Sequence, residues 1–243
     1  MKIDREYKVS AFGDFSDIVP TPDNMMLLLQ EFKDFGMVPS IFQEIKIDTN
    51  GAQPISVQRL ALVSNDGLEQ VPIGSNRIDF IHRTATDISL QNDEITGINN
   101  RAVSIFDYIF RMFDKKASRL ALNTESMIVD ISKAEIDSFL AQFSNPIHLY
   151  PSSALDEWNT RLMVRKEATI DGKQEVLNVI TIINKQKFNK NVDGQQKEFD
   201  GFSVNVDINT LFERSIQRFR KEDCESFIAI AAGLWKEIIE EVG

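Results

Sequence analysis

The sequence predicts an α+β protein: two antiparallel β-meanders, each packed by amphipathic helices. Three observations carry this. Extended runs of alternating apolar and polar residues are joined by Asp66-Gly67 and Asp171-Gly172, turn chemistry that suits a type I′ hairpin with positive φ at both central positions. Two long segments, Asn99 to Lys115 and Lys221 to Val242, have helical apolar spacing. The order strand, helix, meander, helix is read over residues 7–115 and again over 118–242, without residue-level identity. The halves 1–115 and 118–243 are therefore expected to be similar α+β units of one compact domain, a duplicated strand-helix-meander-helix unit.

Taken in order, residues 7–15 alternate around Tyr7, Val9, Ala11 and Phe15 and predict a strand. Thr21 is placed to cap a helix opened by Pro22, where the missing N–H costs nothing. Met25, Met26, Leu28, Leu29 and Phe32 would be its buried face, and Gly36 and Pro39 its end. Ile41 to Ile47 reads as a strand, and 55–64, 68–73 and 77–83 as a meander joined at Asn65-Asp66-Gly67 and Gly74-Ser75-Asn76. The helix from Asn99 presents Val103, Phe106, Ile109, Phe110 and Phe113 on one face.

The second half opens with a strand over 118–131. Ser132 and Glu135 form a capping box ahead of a short helix carrying Ile136, Phe139, Leu140 and Phe143, and Pro146 and Pro151 bound the loop after it. Long strands follow at 160–170, 174–188 and 198–208. Val176 to Ile183 is nearly all apolar and predicts a central strand covered on both faces. The polar stretch 184–197 reads as an exposed hairpin tip around Asp193-Gly194. The last helix turns Phe227, Ile228, Ala231, Leu234, Trp235 and Ile238 inward.

Composition narrows the function classes. The 243 residues carry 27 basic and 37 acidic side chains, a net charge of −10. That balance argues against a broad nucleic-acid footprint, which needs a basic face to release counterions. One cysteine, Cys224, permits no intrachain disulfide and fits a reducing compartment. Its helical setting points to packing rather than to a nucleophile. No apolar run approaches a membrane span, and the first residues lack an apolar signal core. A cytoplasmic protein off the membrane is the expectation.

No phosphate loop, dinucleotide fingerprint, nucleophile elbow or metal-ligand spacing occurs. The only histidines, His82 and His148, lie far apart, and no cofactor or metal is expected. The densest polar cluster is Arg77-Ile78-Asp79-Phe80-Ile81-His82-Arg83. On a strand, Arg77, Asp79, Ile81 and Arg83 share one face, and Ile78, Phe80 and His82 the other. One reading has Arg77 and Arg83 gripping an anion, with Asp79 orienting one of them. The competing reading is a wet strand with a cross-strand salt bridge and a satisfied His82. Asp156-Glu157-Trp158 with Arg161 and Arg165 is either a binding edge or a solvated face. Lys185, Lys187, Lys190 and Lys197 make a basic tip that would meet a phosphate backbone or an acidic partner, or simply stay in water. Most of the 17 phenylalanines fit the core.

Three stretches carry a resemblance. Val57 to Gly67 leads through Val71-Pro72-Ile73-Gly74 to Asn76-Arg77-Ile78-Asp79-Phe80-Ile81-His82-Arg83; Arg119 to Asn123 is a second; Val204 to Ile208, before a helix with Phe227 and Leu234-Trp235, is the third. Together they resemble a sporadically distributed family of uncharacterised bacterial proteins of similar length, over roughly residues 55–240. Ile81-His82-Arg83 stands where that family carries an Asn-Trp-Arg element. The resemblance implies no activity and transfers no site residue. Its patchy distribution resembles that of accessory genes such as those of phage defence or toxin–antitoxin systems, and the layout is similar at fold level to SecB-type chaperones.

The leading expectation is thus a non-enzymatic protein-binding or accessory protein of a bacterial operon, antitoxin-like or chaperone-like, with a protein partner and a homodimer as default. The alternative is a small-molecule sensor or enzyme acting on an anionic ligand through Arg77, Asp79, His82 and Arg83. A third reading is nucleic-acid binding through the lysine tip.

Overall fold

The computed structural model describes residues 2–46, 54–84, 89–129, 131–143, 157–192, 195–213 and 216–242. The first half runs β1 (Lys2–Phe12), α1 (Pro22–Phe32) with a short 3-10 turn (Lys33–Phe35), β2 (Met37–Lys46), β3 (Ile55–Ser64), β4 (Glu69–Ile73), β5 (Arg77–Arg83) and α2 (Asn92–Met112). The second runs β6 (Arg119–Val129), α3 (Lys133–Phe143), β7 (Trp158–Ile170), β8 (Lys173–Val192), β9 (Gln195–Thr210) and α4 (Lys221–Val242).

The strands make one antiparallel sheet of nine, ordered β2-β3-β4-β5-β1-β6-β9-β8-β7. The last strand of each meander pairs back on the first strand of its half, β5 on β1 and β9 on β6, and β1 pairs with β6 to join them. The two expected meanders are therefore one continuous sheet.

One apolar cluster draws side chains from all four helices and from alternate strand positions: Tyr7, Val9 and Ala11; Leu120 and Leu122; Val204, Val206 and Ile208. The helices therefore cover one face, and among the described residues no helix lies over the other, the open face. Fully burying each Leu, Ile or Phe here contributes about 1.5–3 kcal/mol. α2 and α4 meet over β1, where the Tyr7 hydroxyl donates to Asn99 Oδ1 at 2.8 Å and its ring meets Trp235 edge-on. Burial raises the Tyr7 phenol well above its ordinary pKa.

A bulge at Arg5 shifts the β1–β6 register between Asp4 and Glu6. Asp4 is thereby turned toward the helices and buried. It accepts from the Leu90 N–H at 2.8 Å and the Ser126 hydroxyl at 2.6 Å, with Lys2 at 3.2 Å. At the end of the sheet, buried Arg59 donates to the carbonyls of Phe15, Ser16, Ile73 and Gly74, tying the β1–α1 loop to the β4–β5 turn.

Several boundaries and turns differ from expectation. β1 starts at Lys2, before the first strong alternation. α2 starts at Asn92, where Gln91 and Glu94 form a capping box. Pro39 lies inside β2 rather than ending α1, because an edge strand spares its missing N–H. Only Asp171-Gly172 has positive φ at both positions, 45° and 76°. At Asp66-Gly67 only the glycine does. The Asp66 carboxylate instead accepts from the Ser64 hydroxyl and the Leu68 N–H, which closes a longer loop. β8 is next to the edge, not central. Leu177, Val179 and Ile183 are buried under the helices, while Ile180 and Ile182 are half-buried on the open face.

The Ser132–Glu135 box forms as expected. Ile47, the loop bounded by Pro146 and Pro151, Asp156, His148 and the Asp193-Gly194 tip lie outside the described residues. Beyond Gln186 and Gly201, β8 and β9 pair, among the described residues, only with each other, as a two-stranded ribbon. Its base is held by Phe188, packed on the open face with Ile3, Met127 and Val129.

Candidate functional site

β5 lies between β4 and β1, so its side chains have neighbours on both sides. Arg77, Asp79 and Arg83 stand on the open face. Asp79 is 4% exposed; it accepts from the Ser10 hydroxyl at 2.6 Å and faces Arg77 Nε at 2.8 Å. Burial pushes its carboxyl above the ordinary range, with Ser10, Arg77 and Lys8 opposing. Arg83 Nε lies 3.3 Å from Glu6. His82 is on the helix-covered face. Its Nδ1 is 3.5 Å from Glu69 without a hydrogen bond, and Arg101 Nε takes the other Glu69 oxygen at 2.5 Å. Arg77 and Asp79 are thus brought together, Arg83 pairs separately with Glu6, and His82 is on the opposite side of the sheet.

The register lines up rows across the open face. Asp79, Ser10, Ala121, Asn209, Asn178 and Arg165 occupy one row across six strands. The adjoining row is Arg77, Phe12 and Arg119. The guanidinium carbons of Arg77 and Arg119 lie 5.7 and 4.6 Å from the Phe12 ring centre. Burial lowers the Arg119 pKa; Asp207 opposes this and the like charge of Arg77 adds to it. Sequence reasoning missed Arg119 as a site residue. Its neighbours come from β1 and β5, and only the register reveals them.

The two ends of the sheet differ from its middle. At one end β2 exposes Val38, Ile41 and Ile45, and α1 exposes Met26 and Leu29. At the other, β7 exposes Leu162, Met163 and Val164. Leu162 and Val164 with Leu234, Ile238 and Val242 of α4 line a groove of about 480 Å³, rimmed by Lys166, Glu237 and Glu241. Arg161, Arg165 and Glu167 on the same strand are exposed. On the ribbon, Lys187 pairs with Glu198 at 2.7 Å, so part of the basic stretch is neutralised.

Cys224 is fully buried in α4, and burial pushes its thiol well up. Among the described residues no group of three or more His, Cys, Asp or Glu is placed to hold a metal ion, and no helix is long and apolar enough to cross a membrane. Neither a family model, nor a curated protein, nor a solved structure matches the chain.

Proposed function

We propose that the protein is a non-enzymatic protein-binding component that recruits partners by strand addition at the ends of its sheet. The observation that carries this is β7: a 13-residue edge strand with exposed Leu162, Met163 and Val164. Among the described residues no strand lies beyond it, and a sheet edge of this kind is a template for another strand.

The first partner that fits β7 is a second copy. About a two-fold axis at Val164, antiparallel pairing sets Arg161 opposite Glu167 twice, Leu162 opposite Lys166, and Val164 opposite itself. Directly opposed unlike charges and apolar pairs each contribute roughly 0.2–1 kcal/mol. β2, with Val38, Ile41 and Ile45, is then left for a different protein. An accessory, antitoxin-like or chaperone-like role in a bacterial operon fits a binding edge of this kind. We also propose that the two halves arose by duplication, supported by the shared closure of each meander on its own first strand. The reading that joins Arg77, Asp79, His82 and Arg83 in one site has less support, since Arg83 pairs separately with Glu6 and His82 is on the opposite side of the sheet.

A charge swap tests the proposal by sedimentation velocity. Wild type is expected as a dimer, Arg161→Glu as a monomer, and Arg161→Glu with Glu167→Arg as a dimer again. A wild-type monomer at every concentration, or a dimer untouched by Arg161→Glu, refutes β7 self-pairing.

A further inference from the structure

We infer that the open face holds a binding site for a small molecule that carries an oxyanion, carboxylate or phosphate, and a hydrogen-bond donor some distance from it. The oxyanion would sit on Arg119 and Arg77 beside Phe12; the donor would reach Asn178. The inference is independent of the edge strands.

Two orphaned buried atoms carry it. Arg119 Nε is buried without a hydrogen-bond partner. Asp207 acts on Arg119 through its charge without an ion pair. A cation packed against Phe12 with a like charge nearby is incomplete as it stands. Half-buried guanidinium groups normally find a carboxylate or phosphate and bind it with two parallel N–H bonds. Arg77 spends Nε on Asp79, and its two terminal nitrogens stay available for a shared anion.

The second orphan is Asn178 Oδ1. Its amide orientation follows from its neighbours. Asn209 Nδ2 donates to Asp207 at 2.9 Å, so Asn209 Oδ1 faces Asn178 and accepts from its Nδ2 at 3.2 Å. Asn178 Oδ1 is left as a lone acceptor. Asn178 lies two strands from Arg119, about 10 Å across the sheet. Between them the row is Ala121 and Asn209, small beside the ring and guanidinium groups above it. A buried donor and a buried acceptor that both lack partners, on the same face and separated by the Ala121–Asn209 pair, describe a polar ligand with an anion at one end and a hydroxyl or amide at the other.

Calorimetric titration tests this, with inorganic phosphate, acetate and ribose 5-phosphate as probes. Phosphate or acetate is expected to bind saturably, about tenfold or more weakly in Arg119→Met and less weakly in Arg77→Gln, the size of one or two charged hydrogen bonds. Comparing the two identifies the oxyanion the fork prefers. Ribose 5-phosphate is expected to bind about fivefold more tightly than phosphate, the value of one added hydrogen bond, and Asn178→Ala removes that gain. Arg119→Lys, which keeps the charge without the fork, serves if Arg119→Met does not fold. Binding of neither anion, or equal binding by the Arg119 variant, overturns the inference. A ribose 5-phosphate gain that is absent, or that survives Asn178→Ala, overturns the assignment of the donor end.

Discussion

Asp79 and Arg119 show how a residue's role is decided by what the register places beside it. Asp79 was legible as a polar residue on a strand, and its two ligands, Ser10 and Arg77, follow once β5 pairs with β1. Its carboxyl is held above its ordinary value of 3.8, chiefly by burial. The folded chain therefore binds more protons than the unfolded chain between those two values. The contribution of Asp79 is most favourable below the ordinary value and declines as pH rises through the raised one. Replacing it with Asn removes the charge and keeps an acceptor for Ser10. In urea unfolding, Asp79→Asn is expected to gain stability relative to wild type as the pH rises from about 4 toward the raised value. A wild type that gains relative to the variant over that interval would show that the Arg77 ion pair outweighs burial. Arg119 was not legible, because in sequence it is only the polar start of an apolar strand.

At the scale of elements, turn and cap chemistry was the most readable signal. Thr21 accepts from the Asn24 N–H at 3.2 Å, and the Ser132–Glu135 box closes in both directions. Period-two and period-3.6 patterns located every strand and helix, while ends were lost where the pattern is mute. The first turns of α2, Asn92 to Ile98, are too polar to announce a helix without the Glu94 cap. The order of strands was readable only within hairpins: Asp171-Gly172 announces that β7 flanks β8, but no local pattern tells β1 that it will pair with both β5 and β6. Gly201 illustrates a constraint visible only after pairing. A Cβ there would lie 2.4 Å from the Ile128 carbonyl and 2.9 Å from the Phe188 ring. Gly201→Ala is expected to cost about 1–3 kcal/mol by overpacking. Gly97 in α2 has nothing within 4 Å of its Cβ position, and Gly97→Ala is expected to stabilise by about 0.5–1 kcal/mol. Equal costs for both in chemical denaturation would show that the crowding at Gly201 relaxes.

For the whole molecule, the joint between the halves governs cooperativity. β1 pairs over ten positions with β6 and seven with β5, and Tyr7 on β1 bonds Asn99 of α2 while touching Trp235 of α4. Neither half closes its core without the other, so heating is expected to give one calorimetric transition, coincident with loss of far-ultraviolet dichroism. Two resolved peaks would mean that the meanders unfold separately. The fold class was legible from the repeated order of elements, but the single sheet was not, because the β1–β6 seam lies between segments more than a hundred residues apart. The ribbon at the far ends of β8 and β9 answers to none of this. Past Phe188 its described residues pair only with each other, over roughly 13 Å. Lengthening or trimming both strands together by two residues keeps every side chain on its face, and nothing in the core registers the change. The protein thus carries a ribbon whose length evolution or an engineer is free to reset two residues at a time without disturbing the register of the sheet.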